Sequence, residues 1–579
     1  MTRTRFLIAA AALLAASAQA APPPADDAAR VTRLADDYVA AYVHRFPEQT
    51  VFAGMEAPGF ERLFDNSAAA DKAWKKREDA WWHALSEIDG KALVGRPEWI
   101  TYGFVREALY GSRALRACRL ELWPVSQMNG WQAFLPDLLG AMPVETPQAR
   151  ARIAKVLASL PGYLGTERAN LERGLKLGWS TPRHNVELVI AQLDGLIDVP
   201  LAQSPLYGPA ERSGDAAFKI QWEKLLSDAV LPAVRQYREY LKGGYLAKAR
   251  ATVGVSALPD GAACYAASLR AYTGLDTAPK AMFEQGERAV SARQAKARAL
   301  MQKVYGSSDL STLRATLEQD KNNHFETRAQ VQAFSQEAID RATLALPKFF
   351  GLVPKAKVRI EPIPAFDEEH GVPHYVPASA DGARPGTYAI SLYQPEKQNR
   401  AQLEAVAFHE TVPGHHMQAA IAQERPQAHP ITRLLWNSGY GEGWAVYAEE
   451  LADEMGLFSS DLERLGEYVQ LPTGMVCDPG VHAMGWSRDE AIEYFIKMRP
   501  DYSPERAASQ VDRIIVTPGQ LTTYFAGALE IRALRELAEA KLGTRFDLRA
   551  FHDRVLEDGA VTLPMLREKI ERWVAAESK

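Results

Sequence analysis

Leu403-Glu404-Ala405-Val406-Ala407-Phe408-His409-Glu410-Thr411-Val412-Pro413-Gly414-His415-His416-Met417-Gln418 is the stretch on which the reading of this chain turns. Leu403 to Phe408 is built from good helix formers, so it delivers His409 and Glu410 side by side on a helix. That dipeptide alone is common. Three histidines within eight residues are not, in a chain that holds 12 in all. A helical zinc motif places two histidines at i and i+4, where one turn brings both imidazoles to one face. Here position 413 is proline, and the next histidines follow the proline-glycine pair.

On an undistorted helix His415 lies about 240° around from His409, and His416 roughly 10 Å further along the axis. Neither suits nitrogen ligands about 2.0–2.1 Å from one zinc ion. Pro413 clashes with the carbonyl four residues back and lacks an amide hydrogen, while Gly414 tolerates unusual dihedrals. Together they permit a bulge that extrudes the inserted residues and returns a later histidine to the metal. His415 follows the bulge directly and is the favoured ligand. His416 is the alternative; the histidine that does not bind metal is free for substrate or a supporting hydrogen bond.

Two histidines need at least one more ligand. Gly439-Tyr440-Gly441-Glu442-Gly443-Trp444-Ala445-Val446-Tyr447-Ala448-Glu449-Glu450-Leu451 carries a glycine-flanked carboxylate into an amphipathic helix. Glu442 is the expected third ligand, leaving a fourth position open as catalytic zinc requires. Glu449 competes, but Glu450 and Asp453 beside it read as a solvated face. Glu410 sits next to a ligand without being one, and is placed to act as general base toward water activated by the metal.

Further residues extend the candidate site. Tyr524, in the pattern Pro518-Gly519-Gln520 to Gly527, suits the donor that an oxyanion on the attacked carbonyl needs, with a packed core tyrosine the competing reading. His416, His482 and Arg488 are candidate substrate-binding groups. His482 follows an Asp478-Pro479-Gly480 turn; Arg488 could clamp a substrate carboxylate, or begin a helix at Ser487. The stretch Thr387 to Leu392 could pair with an extended peptide by edge addition.

Helical periodicity dominates elsewhere. Apolar residues recur at three- and four-residue intervals over 28–43, 70–88, 147–177, 216–241, 277–302 and 326–345, which predicts a helical N-terminal part over about 28–345. Near residue 350 the pattern changes. Lys357 to Ile360 and Gly386 to Leu392 alternate as strands, and Pro377 to Pro385 between them has the chemistry of a loop. Helices resume near Arg400, giving a catalytic part over about 350–579 within one large domain, 21–579.

Residues 1–20 read as an export signal. Arg3 and Arg5 precede the apolar run Phe6 to Ala16, and Ser17-Ala18-Gln19-Ala20 ends in small residues at a cleavage site. The expected location is therefore periplasmic or secreted, and with no cysteine after the cut no lipid anchor is expected. A net charge of -5 with no long basic run argues against nucleic acid or an anionic membrane surface as partner. Cys118, Cys264 and Cys477 are too dispersed for a disulfide framework or a cysteine-rich zinc site; they read as buried small side chains, of which one pair could bridge in an oxidising compartment.

With these residues in place, the chain resembles a family of bacterial zincin-like proteins, catalogued as a domain of unknown function, that carry HExxPGHHxQ followed by a GEGW-type segment. The match covers His409 to Gln418 and Gly441 to Trp444, and extends to 381–386, 478–486, Pro518-Gly519-Gln520 with Tyr524 and Gly527, and Phe551-His552-Asp553 with Gly559. The resemblance implies a mainly α fold: a large helical, gluzincin-like metallopeptidase body with a small β-sheet next to the active-site helix. In gluzincins a glutamate on a second helix completes a His-Glu-His site. Many also place an acidic residue four positions after that glutamate to orient a zinc-bound histidine. Here Val446 occupies that position, so the supporting group must come from elsewhere.

The expectation is an exported, zinc-dependent peptidase acting on short peptides. The competing readings are a metal-dependent amidase or esterase on a small non-peptide substrate, and a non-catalytic peptide-binding protein that keeps the fold. An intact Glu410 argues against the last, since a binder needs no base beside a metal.

Overall fold

The computed structural model describes residues 26–579 apart from 54, 56, 364–367, 369–370, 379–384 and 425–427. The proposed signal 1–20 and most of the loop 377–385 lie outside the described residues. The periodic segments form helices close to their expected bounds. Asp27–Arg45 begins at Asp26, whose side chain accepts from the Ala28 N–H, and buries Val31, Leu34, Ala35, Tyr38 and Ala41 along one stripe. Ala68–Ser86, Pro279–Tyr305 and Arg328–Phe349 follow the same logic. The stretch 147–177 is two helices, Pro147–Ala158 and Leu160–Lys176, parted at Ser159 just before Pro161-Gly162.

A three-stranded sheet interrupts the helices. β1 (Val358–Pro362) runs parallel to β3 (Gly386–Ile390), and β2 (His374–Val376) pairs antiparallel with the other side of β3, giving the order β1-β3-β2. β3 is buried along its whole length. Since it is the central strand, with both edges taken, it has no free edge for an incoming peptide; the expectation that Thr387 to Leu392 adds a substrate strand is corrected. β2, only three residues long and close to Pro373 and Pro377, escaped the sequence reading.

Packing cuts the chain differently from the expected division near residue 345. Val31, Trp81 and Phe104 from the first helices share one core with Phe334, Phe408, Trp444 and Leu566. A second core, spanning Phe60 to Ala249, gathers Trp131, Leu157, Trp222 and Tyr245. The helices Asp27–Arg45, Ala68–Ser86 and Glu98–Ala114 thus pack with the C-terminal part, while the segment 125–249, joined by Phe60 and Leu63, has its own core. Each such fully buried side chain stabilises the fold by about 1.5–3 kcal/mol.

Cys118 and Cys264 form a disulfide, while Cys477 is free and buried. The expected possibility of one bridge is realised, between the short turn Leu115–Cys118 and the helix Gly261–Thr273. Among the described residues no helix is long and apolar enough to cross a membrane.

Candidate metal centre

The motif helix, Arg400–Glu410, buries Ala401, Leu403, Glu404, Ala405, Ala407 and Phe408 and ends at the general-base candidate. The chain then breaks. Thr411 to Gly414 form a turn, the Val412–Pro413 peptide is cis, and a new helix runs His415–Gln423. The Gly414 N–H donates to the Phe408 carbonyl at 3.0 Å, and the Trp444 indole donates to the Pro413 carbonyl at 2.9 Å. Only glycine fits at 414: a Cβ there would stand 2.0 Å from the His409 carbonyl oxygen and 2.4 Å from that of Phe408. The break is larger than a bulge, since one helix stops and another starts, but its effect is the expected one.

That effect is to bring His415 back beside His409. Their ring centroids are 4.8 Å apart and nearly perpendicular. Glu442 approaches both from the helix Ser438–Glu454: its Oε2 lies 3.6 Å from His409 Nε2 and 3.5 Å from His415 Nε2. Donors about 2.0–2.1 Å from a tetrahedral zinc ion stand roughly 3.3–3.5 Å from one another, so these spacings fit such an ion. Ligand atoms of all three residues lie within 4.8 Å of one another, in the one such His/Cys/Asp/Glu group among the described residues. Close helix packing sets Glu442 there. A Cβ at Gly443 would stand 2.5 Å from the Gly527 Cα, so the glycines let the helix Thr523–Leu542 press against this one.

His416 is not part of the group. It is buried, its Nε2–H donates to the Ala356 carbonyl at 3.0 Å, and its Nδ1 accepts from the Tyr375 hydroxyl at 3.1 Å. Burial lowers its pKa, so it stays neutral. With both nitrogens used, neither the alternate-ligand nor the substrate-binding role remains open to it. It ties the returning helix to β2 and to the chain before β1.

Glu449 overturns its expected place on a solvated face. It is 5% exposed, and its Oε1 stands 2.6 Å from His409 Nδ1, accepting the proton there and leaving Nε2 directed at Glu442. This is the carboxylate–histidine support that Val446 cannot give. Glu449 follows Glu442 by two helical turns, which puts them on one face; that spacing was the available signal. Its neighbours Glu450 and Asp453 are half-buried and paired with Arg293 and Arg464. Behind Glu449 lies fully buried Glu467, held by Arg293 at 2.7 Å. Burial and the nearby Glu449 charge push the Glu467 carboxyl well up.

The electrostatics separate the carboxylates. Burial alone would raise Glu442, but hydrogen bonds to His409 and His415 overcome it and hold the group well below the usual range. Glu410 is pushed up by burial, against the opposing pull of His409 and His415 and a hydrogen bond from the Tyr375 backbone. The Tyr388 hydroxyl, on β3, is buried without a hydrogen-bond partner among the described residues, and burial together with the Glu410 charge raises its pKa.

Of the remaining candidates, His482 and Arg488 are engaged elsewhere. Tyr524 stands in the first turn of Thr523–Leu542, half-buried, its hydroxyl accepting from Arg513 at 3.1 Å. His482 is fully buried: Nδ1 accepts from the Val255 N–H at 3.1 Å and Nε2–H donates to the Ile514 carbonyl at 2.9 Å. It belongs to a helix, Gly474–Ala483, that accommodates Pro479, and not to a turn. Arg488 is held bidentately by Asp512 at 2.7 and 2.8 Å, at the start of a helix capped by Ser487. Neither His482 nor Arg488 is available to substrate, and both expectations are corrected. Trp436, unnoticed in the sequence, stands against the centre, its ring 6.0 Å from that of His415.

The same architecture occurs in two solved structures. A candidate lipoprotein from Colwellia psychrerythraea superposes with a TM-score of 0.86 at 21% identity, covering 94% of this chain and 99% of that one. A candidate lipoprotein of unknown function from Shewanella oneidensis gives 0.74 at 18% identity, covering 93% and 99%. At these identities the likeness concerns the fold. No curated protein matches the chain in sequence. A family described as bacterial proteins of unknown function, DUF885, matches residues 47–570, nearly the whole described chain and all of the His409–His415–Glu442 group; the chain belongs to that family.

Proposed function

We propose that the protein is an exported zinc-dependent peptidase of gluzincin type, acting on short peptides. The observation that carries this reading is the convergence of His409, His415 and Glu442, with the carboxylate of Glu410 beside them. A bound zinc ion would supply a charge that polarises the scissile carbonyl and eases the ionisation of water. The protein's own groups divide the remaining work. Glu449 fixes the His409 tautomer, so that Nε2 is the nitrogen offered. Glu410 accepts a proton at its carboxylate and returns it to the leaving amine; a pKa raised by burial suits a group that must both take and give it. His416 anchors Tyr375, whose backbone hydrogen-bonds Glu410 and so steadies the base. Tyr524 is assigned the donor role toward the developing oxyanion.

The disulfide between Cys118 and Cys264 and the likeness to candidate lipoproteins support an oxidising, exported location. Incubation of the natively purified protein with a mixed peptide library, wild type against Glu410→Gln, tests the function. The variant is expected to lose about 10²–10⁴-fold in turnover while keeping its metal. Equal turnover by both proteins, or native protein without zinc, would overturn the reading. Cleavage of small amides or esters with no peptide turned over would move the assignment to an amidase or esterase.

A further inference from the structure

A cavity of about 340 Å³ shares one wall residue, Trp436, with the surroundings of the metal centre. Trp436 joins the two. Its ring meets His415 on one side, it packs so closely on Gly441 that a Cβ there would be 2.2 Å from its Cζ2, and it lines the cavity as well. It is nonetheless 58% exposed, a large indole held open at the edge of the site. The far wall is aromatic: Tyr42, Phe46 and Trp74 stand with ring centroids 5.0–6.2 Å apart, in tilted and edge-to-face contact. Such walls receive another flat ring at little cost in rearrangement.

The carboxylates, Asn437 and Thr273 of the lining already have partners. Glu78 accepts from the Trp74 indole at 2.8 Å and pairs with Arg116 at 2.8 Å; Glu107 pairs with Arg270 at 2.6 Å. Asn437 donates to the Ala560 carbonyl at 2.6 Å, and Thr273 to the Leu269 carbonyl at 2.7 Å. Both carboxylates are engaged, Glu107 by Arg270 of the lining and Glu78 by Arg116 behind it, so neither stands free to receive a cationic side chain. The cavity volume sits at the small end of the ligand-site range, roughly 300–1,000 Å³, which suits one ring system and not a long peptide.

We propose that this cavity is the specificity subsite for a neutral aromatic side chain of the substrate, so that the protein cleaves peptides next to Phe, Tyr or Trp. The inference rests on the peptidase reading for its catalytic consequence, while the binding itself stands on the cavity. The test compares short peptides that differ at one residue, Phe, Ala, Lys or Asp, on the zinc-loaded protein. The Phe peptide is expected to exceed the Ala peptide about a hundredfold in kcat/KM, with Lys and Asp no better than Ala.

Two cavity-filling variants accompany it, chosen away from the metal centre. A Cβ at Gly111, which lines the cavity, would meet nothing closer than Ala271 Cβ at 3.8 Å, so Gly111→Phe can start a side chain there without a backbone clash. Ala108→Leu fills it from the same face of the same helix. Both are expected to retain zinc and cleavage of the Ala peptide while losing the preference for Phe. Calorimetric titration with N-acetylphenylalanine amide, against the alanine amide, reads the subsite without turnover. Aromatic binding that the variants abolish, with no peptide cleaved, overturns the peptidase reading and leaves the subsite standing. Equal rates for Phe and Ala peptides, a Phe preference unchanged in the filled variants, or no difference between the two amides overturns the subsite.

Discussion

His409 and His482 both lie on helices, in segments that suggest function, and both are taken out of bulk solvent, yet their surroundings are of opposite kinds. His409 meets carboxylates: Glu449 holds Nδ1, and Nε2 faces Glu442 beside a second imidazole. His482 meets backbone, with the Val255 N–H on one nitrogen and the Ile514 carbonyl on the other. His552 resembles His482, donating to the Phe349 carbonyl and standing 2.9 Å from the Tyr447 hydroxyl. Burial lowers the pKa of His482 to about 3 and that of His552 to about 4, while at His409 the Glu442 and Glu449 carboxylates outweigh burial and push it well up. A ring whose nitrogens both end on backbone is a core residue, whatever motif surrounds it. A ring with one nitrogen fixed and the other aimed at further donors is built to hold something.

The comparison breaks if the two kinds of histidine respond alike to removal. His415→Ala is expected to weaken zinc binding by more than about a thousandfold, because structural zinc sites bind with roughly 10–16 kcal/mol and one of three protein ligands is gone. His482→Ala is expected to keep its zinc and lose roughly 2–5 kcal/mol of stability, from the cavity and from two backbone groups left without partners. His416→Ala belongs with His482. Metal analysis after dialysis, set beside denaturant unfolding, decides the matter: a zinc-free His482→Ala or a fully loaded His415→Ala removes the distinction.

A smaller effect sharpens it. Glu449→Gln keeps the shape of the side chain but removes the charge opposite His409 Nδ1. The expected result is zinc affinity lowered about 10–100-fold, measured by chelator competition, with folding retained. An unchanged affinity would make Glu449 a packing residue of the buried Glu467–Arg293 group and leave His409 without support.

How much of this was legible beforehand differs by residue. The broken motif could be read from local chemistry, because Pro413 forbids a continuous helix and Gly414 admits the close carbonyls. The pairing of His409 with Glu442 and a histidine after the break, His415 favoured, followed. What takes His416 out of the group did not, because it depends on Ala356 and on Tyr375 of a three-residue strand far away in sequence. Glu449 was legible in its spacing from Glu442 and was hidden by Glu450 and Asp453, whose charges describe the neighbouring face. Asp478-Pro479-Gly480 carries strong turn chemistry, yet a fully buried setting draws it into a helix. The mixed core of the first hundred and last two hundred and fifty residues is a matter of topology, invisible to periodicity.

The helix carrying His482 offers the finest test, because Asp478 sits one turn before it and is also fully buried. Burial raises the Asp478 carboxyl to about 7 from 3.8, against hydrogen bonds from Tyr265 and Gly519. Between those values the folded protein keeps a proton that the unfolded chain releases, so this residue makes stability fall as pH rises. His482 does the reverse. Its pKa drops from 6.5 to about 3, so over that interval the unfolded chain takes a proton that the folded one refuses, and stability falls as pH falls. From pH 4 to 6.5 the two slopes oppose each other, and the wild type is expected to show little net dependence from this helix. Asp478→Asn keeps an oxygen for the Tyr265 hydroxyl and the Gly519 N–H, both of which reach Oδ1. It removes one slope and leaves the other. Relative to wild type, the variant should lose up to about 1.4 kcal/mol of stability for each unit of acidification in that window. Denaturant unfolding at several pH values measures the difference. Parallel curves for the two proteins would mean that the buried carboxyl and imidazole do not hold the charge states their surroundings impose, and the contrast with His409 would lose its electrostatic half.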